Sequence, residues 1–233
     1  MVLVAARNPL NIGAAARAMS NFGFVRLRVV NCYDIAFREA RSAVGAPDVL
    51  ANAEEFSSVA EAVADCGLVV GTTAAELRTL EQPLHRLDVG GKMIRTQLAI
   101  GRVALLFGSE KRGLSNDDLN YCHWLMRIPT REVHGSMNLG QAVAVCLYEL
   151  IREENADAAV ELKKRASGAA LERMTEALLG ALADSGYIKP GMSAATEDKA
   201  RRLVRRMCLT EEDAELWTGM LAKSGNQGKS KYK

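Results

Sequence analysis

Short runs of Val, Leu and Ile alternate with segments of helical periodicity along the first 150 residues, and few architectures accept that order. The runs are Met1 to Ala6, Val25 to Asn31, Leu68 to Thr72, Val103 to Gly108 and Trp124 to Pro129, each bounded by Gly, Asn or Pro. Their length and β-branched content predict buried strands. Between them, Ile12 to Phe22 is a helix opening after the N-cap candidate Asn11 and ending at Gly23. Val59 to Cys66 is a second, with Ser58 and Glu61 at capping-box spacing and Gly67 as its stop. Strands joined through helices pair in parallel, so the fold class is α/β with a parallel sheet.

The segment from Asn138 to Glu149 places Leu139, Ala142, Val143, Val145, Cys146 and Leu147 around most of a helix. Such a helix needs burial on more than one side. Either it is central to the domain or it also meets a second subunit.

From Glu153 to Arg165 the composition becomes charged and Ala-rich, which predicts a helical connector. The boundaries expected are a first domain over 1–155, a helical linker over 156–165, a small helical domain over 166–224 and a disordered tail over 225–233. In the helical domain, Leu171, Met174, Leu178, Leu179 and Leu182 form one apolar stripe. Leu203, Val204, Met207, Leu216, Met220 and Leu221 form two more. Residues 160–233 hold 14 Lys and Arg against 10 Asp and Glu, whereas the whole chain is only +2. That local excess suits a phosphate backbone or an ordinary solvated face. Lys199, Arg201, Arg202, Arg205 and Arg206 are its densest cluster.

Composition excludes several classes. With 48% apolar and 25% charged residues the chain is an ordinary globular protein. Its longest apolar run, near Leu139 to Leu147, is too short to span a bilayer. Five cysteines without a CxxC pair imply reduced thiols and a cytoplasmic protein. His85, His123 and His134 lack ligand spacing with Cys or carboxylates, so no metal is expected. The GxGxxG dinucleotide fingerprint is absent, and Gly108 to Gly113 has phosphate-loop spacing but Leu114 where a Lys must stand. Ser136 lies outside any GxSxG elbow.

Three polar clusters remain, each following a strand: Asn11, Gly13 and Arg17; Gly108, Ser109, Glu110 and Gly113; and Ser136, Met137 and Asn138. Loops at the C-terminal ends of parallel strands converge on one crevice. Taken singly, Asn11 and Ser136 read equally as helix caps, the glycines as turns and Arg17 as solvated.

Taken together, NIGAAARAMSNFG at Asn11 to Gly23, LLFGSEKRGLS at Leu105 to Ser115 and IPTREVHGSMNLGQAVAVCLYEL at Ile128 to Leu150 resemble, in that order, the three signature motifs of the SpoU (TrmH-like) branch of the SPOUT RNA methyltransferases. VVGTTAAELRTLEQP and the helical extension are most similar to the TrmJ-type subgroup, tRNA ribose 2′-O-methyltransferases of the anticodon loop. The resemblance implies a deep trefoil knot, a rare exception to unknotted topology, with an S-adenosylmethionine site inside it. It also implies an obligate homodimer, a tRNA partner and methylation at nucleotide 32. By motif it assigns catalysis to Arg17, Ser136 and Asn138. It assigns cofactor binding to Thr72, Thr73, Ala74, Gly108, Ile128, Ser136, Met137 and Asn138. RNA contacts fall on Asn11, Arg17, Arg78, Glu110 and Arg112, and the charge cluster adds Arg201, Arg202 and Arg205. A ribosomal RNA substrate, or a non-catalytic RNA-binding protein on the same scaffold, are the competing expectations. Since a guanidinium stays cationic near neutrality, Arg17 is expected to clamp phosphate and developing alkoxide charge rather than act as a base.

Overall fold

The structure is a computed structural model that describes residues 1–31, 34–42, 48–74, 81–131, 135–152, 164–188 and 194–227. Seven strands, β1 (Val2–Val4), β2 (Arg28–Val30), β3 (Glu54–Phe56), β4 (Leu68–Thr72), β5 (Leu84–Arg86), β6 (Val103–Phe107) and β7 (Trp124–Arg127), form one sheet in the order β3-β2-β1-β6-β4-β7-β5. Every pairing is parallel, with Leu3 level with Val29 on one side and Phe107 on the other. The five apolar runs became the five inner strands. The two outermost strands, β3 and β5, were not foreseen. Their sequences, EEF and LHR, are short, partly charged and largely exposed, as the edges of a soluble sheet usually are.

Helices α1 (Pro9–Asn21), α2 (Asp34–Ser42), α3 (Asp48–Ala51), α5 (Leu87–Leu98) and α7 (Leu139–Ile151) cover one face. Alternation along the strands sends Leu3, Val70, Leu105, Phe107, Trp124 and Met126 into that core. Val2, Val4, Val69, Leu106 and Leu125 point to the opposite face, where the single turns α4 (Val59–Ala62) and α6 (Asn116–Leu119) and their flanks lie against it. The Ser58 side chain caps α4 by accepting from the Glu61 amide, but the Glu61 carboxylate binds Ser57 instead of closing a reciprocal box.

Strand order departs twice from chain order. β6 lies between β1 and β4, and β7 lies between β4 and β5, both of which precede it. Such late insertion between earlier strands is what a threaded topology requires. It also makes β1, β6, β4 and β7 four consecutive neighbours, so the loops leaving their C-terminal ends share one edge.

The opposite edge is tied by ions. The Arg28 guanidinium donates to both Asp65 carboxylate oxygens at 2.5 and 2.8 Å and to the Ala62 carbonyl at 2.7 Å, and it pairs with Glu54 at 3.4 Å. Arg102 reaches the same Asp65. The bond from Arg28 holds the Asp65 carboxyl well below the usual carboxylate range, against the opposing effect of burial.

Three further helices, α8 (Gly168–Asp184), α9 (Ala194–Arg206) and α10 (Glu211–Gln227), make the C-terminal domain. Its core is Ala166, Ala170, Leu171, Met174, Val204 and Ala214, with Leu178 and Leu221 against it. Leu203, Met207, Leu216 and Met220, expected in apolar stripes, are exposed. α10 continues through Gln227, three residues into the stretch expected to be disordered. Of the expected helical linker, 156–163 lies outside the described residues, and Arg165 bridges Thr210 in extended conformation rather than in a helix.

This domain docks on the thinly covered side of the sheet. The Gly168 and Ala169 amides donate to the Cys66 and Ala64 carbonyls at 3.0 and 2.9 Å. A Cβ on Gly168 would stand 2.5 Å from the Val63 carbonyl oxygen, so only glycine permits that approach. Among the cysteines described, Cys66, Cys122 and Cys146 are buried and free, and burial pushes the Cys122 and Cys146 thiols up to about 12. No helix among the described residues is long and apolar enough to cross a membrane.

Candidate active site

The first motif folds differently from expectation at its start. The helix begins at Pro9, with Asn8 as N-cap accepting from the Leu10 amide at 2.9 Å. An Asn-Pro pair supplies both a capping oxygen and a pre-set φ at the first helical position, so it outcompetes Asn11 for the cap. That leaves the Asn11 side chain available for long-range bonds. The Asn-Pro dipeptide was the signal in the sequence that would have found Asn8.

Glu110, in the loop after β6, accepts from the Arg7 amide at 3.2 Å, the Asn8 amide at 3.1 Å and Asn11 Nδ2 at 3.1 Å. Asn138 Nδ2 donates in turn to Asn11 Oδ1 at 2.7 Å. Asn138 Oδ1 caps α7, accepting from the Gly140 and Gln141 amides at 2.9 and 3.4 Å. One network therefore joins all three motifs. Burial pushes the Glu110 carboxyl up, but the amide donors, with Asn11 among them, outweigh it and hold the group below its ordinary value. Through these bonds Glu110 ties the strand-end loops together.

The second loop is closed on itself. Gly108 lies against Gly113 and Leu114 so tightly that a Cβ would stand 2.0 Å from a backbone atom, and Gly113 has φ of +69°. Only glycine serves at either place. Beside it, Thr72 Oγ1 donates to the Leu106 carbonyl at 2.8 Å, and the Thr73 amide donates to the Met126 carbonyl at 3.0 Å. Thr130 Oγ1 donates to the Gly135 carbonyl at 3.0 Å, drawing together the ends of the third loop. Thr72, Thr73, Ala74, Gly108, Ile128 and Met137 are all half-buried at these strand ends, while Ser136 and Asn138 are exposed. α1 and α7 meet at Gly140, where a Cβ would lie 2.6 Å from that of Ala14.

Arg17 stands six positions beyond Asn11, roughly 9 Å along the helix axis, on the exposed side of α1 with Leu10 and Ala14. Arg112 is exposed on the loop after β6, and Arg78 lies outside the described residues.

The basic cluster of α9 is a different matter. Arg205, only 1% exposed, pairs with Glu172 at 2.9 Å. Arg201 pairs with Glu172, Glu197 and Asp198 and lies over the Tyr121 ring at 5.0 Å. Arg202 pairs with Glu81 at 2.6 Å and donates to Asn120 Oδ1 at 2.6 Å. These three arginines, expected to hold RNA phosphates, each pair with carboxylates of the chain itself. Lys199 and Arg206 of the same helix are exposed. His85 packs edge-on against Trp124, and buried His123 accepts from the Val69 amide at 3.1 Å through Nδ1.

Residues 1–148, which contain every member of the three-motif network, match the model of the SpoU rRNA methylase family. The chain belongs to that family. Beyond the matched span, the C-terminal helices are shared with particular relatives. A tRNA (cytidine/uridine-2′-O-)-methyltransferase TrmJ of Klebsiella pneumoniae is 36% identical over 240 residues, covering 99% of this chain and 98% of that protein. Its Yersinia pestis counterpart is 33% identical, covering 98% and 92%. Among solved structures, TrmJ from Z. mobilis ZM4 superposes with a TM-score of 0.82 at 32% identity, covering 95% of this chain and 96% of that one. A methylase family protein from Neisseria gonorrhoeae has a TM-score of 0.62 at 28% identity, covering 75% and 91%. The likeness to TrmJ from Z. mobilis thus extends through the helical domain.

Proposed function

We propose that this chain methylates the ribose 2′-oxygen of a cytidine or uridine in tRNA, at nucleotide 32 of the anticodon loop, with S-adenosylmethionine as donor. The carrying observation is the Asn138–Asn11–Glu110 network, which gathers the three motif loops at one edge of the sheet. Full-length similarity to tRNA methyltransferases, helical domain included, favours tRNA over ribosomal RNA.

The donor set at the strand ends fits the cofactor. Thr72, Thr73, Ala74, Gly108, Ile128, Ser136 and Met137 offer backbone amides and carbonyls, small side chains and two half-buried apolar walls. Neutral hydrogen-bonding groups beside apolar surface suit a nucleoside, and they place no ammonium or guanidinium against a sulfonium. When bound, S-adenosylmethionine supplies an electrophilic methyl carbon that carries its own leaving group.

The chain's own contribution is placement. Asn138 fixes the start of α7 and, through Asn11, the distance between the first and third loops. Arg17 holds the phosphate beside the target ribose and stabilises negative charge developing on the 2′-oxygen. Lys111 and Arg112 supply the basic rim. The face bearing Arg17 continues into exposed Leu10, Val25, Tyr148 and Ile151 on and around α1 and α7, which is the surface on which a second copy of this chain docks.

The test is Arg17→Lys, which keeps the charge and loses the planar fork. Methyl transfer to tRNA should fall by about 100-fold, while calorimetry gives unchanged affinity for S-adenosylhomocysteine. Unchanged turnover would remove Arg17 from the chemistry.

A further inference from the structure

Arg202 bridges the two points at which the chain, after leaving the ends of β4 and β6, re-enters the sheet as β5 and β7. Its Nη2 meets Glu81 Oε2 at 2.6 Å and its Nη1 meets Asn120 Oδ1 at 2.6 Å, and Arg206 adds a bond to the Glu81 carbonyl at 3.4 Å. Glu81 lies on the connection from β4 to β5. Where that connection leaves β4, the Thr73 amide is pinned to Met126. Where it re-enters the sheet, Gln82 Nε2 donates to the Leu119 carbonyl at 2.8 Å and the Leu125 amide donates to the Pro83 carbonyl at 2.8 Å. Asn120 closes α6, which ends the loop that starts at Gly108. The side chain of Arg202 is only 12% exposed. A fork held in this way, between a carboxylate and an amide oxygen of separate segments, fixes their spacing.

We infer that Arg202 is a positioning residue for methyl transfer: from the C-terminal domain, through Glu81 and Asn120, it sets the spacing at which the chain enters β5 and β7, the latter leading directly into the third motif loop. The inference rests on the methyltransferase reading above. It gives the helical domain a role inside the reaction, in addition to any surface it offers RNA. Catalysis that depends on placement loses rate when a supporting group shifts, even far from the reacting atoms.

A phosphate contact and an internal clamp make opposite demands on Glu81. If Arg202 served RNA directly, Glu81 would compete with phosphate, and Glu81→Gln would tighten tRNA binding. If Arg202 is a clamp, Glu81→Gln and Arg202→Gln injure the same step. The experiment compares both variants and their double in the full-length protein by kcat and KM for tRNA, salt dependence of tRNA binding, and amide hydrogen exchange over residues 81–85 and 116–125. Each single variant should lower kcat at saturating tRNA by about tenfold, the double should be no worse than the poorer single, and exchange in both peptides should rise. KM for tRNA and its salt slope should hardly move. Tighter tRNA binding by Glu81→Gln, with weaker binding and a flatter salt slope for Arg202→Gln, would overturn the clamp. Unchanged exchange in both peptides would overturn it whatever the activity. A wild-type protein inactive on tRNA would instead count against the methyltransferase reading, leaving the exchange data to decide the clamp.

Discussion

At one edge of the sheet, Asp65 sits between the guanidinium groups of Arg28 and Arg102, with Glu54 alongside. At the other edge, Glu110 receives two backbone amides and one side-chain amide from the segment Arg7 to Asn11. Both carboxylates are held below their ordinary range, by cations in the first case and by neutral N–H donors in the second. The contrast separates two uses of charge. A buried guanidinium, Arg28, that bonds a more exposed carboxylate ties the strand starts together through charge-assisted hydrogen bonds. Neutral donors fix loop positions to within a hydrogen bond while adding no cationic charge beside a site proposed to receive a cationic donor. The first edge is built to hold the sheet and the second to hold a geometry.

The largest effect expected is on stability at the first edge. Arg28→Met removes the guanidinium shared by Asp65, Glu54 and the Ala62 carbonyl, and urea unfolding should show a loss of about 2 kcal/mol. The folded variant should keep its affinity for S-adenosylhomocysteine; a parallel loss of affinity would show that the two edges are not separable.

Asn138→Asp makes the reciprocal test. An Asp oxygen can still cap α7, but it cannot donate to Asn11 Oδ1, and it brings a second negative charge towards Glu110. Methyl transfer should fall by about tenfold, equivalent to about 1.4 kcal/mol, with a stability change below about 1 kcal/mol. If stability falls and activity does not, the network serves folding alone.

The smallest effect is in acid. A carboxylate whose folded pKa is depressed contributes stability that is present above its unfolded pKa and is lost as pH falls through the folded one. Both Asp65 and Glu110 therefore act in the same direction. Because Asp65 is the more strongly depressed, Asp65→Asn should flatten the fall of stability between about pH 5 and about pH 2.5 more than Glu110→Gln does. Each group can change the slope by at most about 1.4 kcal/mol per pH unit. Equal slopes in the two variants would erase the distinction between cationic and neutral donors.

Much of this molecule was legible in its sequence because its inner strands are continuous apolar runs, and burial on both faces leaves such runs few alternatives. β4 falls on Leu68–Thr72 as expected, and Asn138 both caps α7 and joins the motif network. β3 and β5 escaped because an edge strand needs neither a long run nor full burial. The ion pairs of the α9 arginines escaped for a related reason: sequence displays charge but hides its partner. Glu172 is 29 and 33 residues from Arg201 and Arg205, and Asn120 is 82 from Arg202. Packing of α9 on α8 makes the first two pairs, and docking of the helical domain makes the third. The partners of Glu110 were hidden in the same way, since its donors Arg7 and Asn8 lie 103 and 102 residues away.

The central claim is that the loops gathered by Asn11, Glu110 and Asn138 perform ribose methylation of tRNA. Mapping 2′-O-methylation across total RNA from cells with and without this gene tests it most directly. The account predicts loss of a single mark, at cytidine or uridine 32 of one or more tRNAs, restored by the wild-type gene and not by Arg17→Lys. A map unchanged at every tRNA position, or a loss confined to ribosomal RNA, would contradict it.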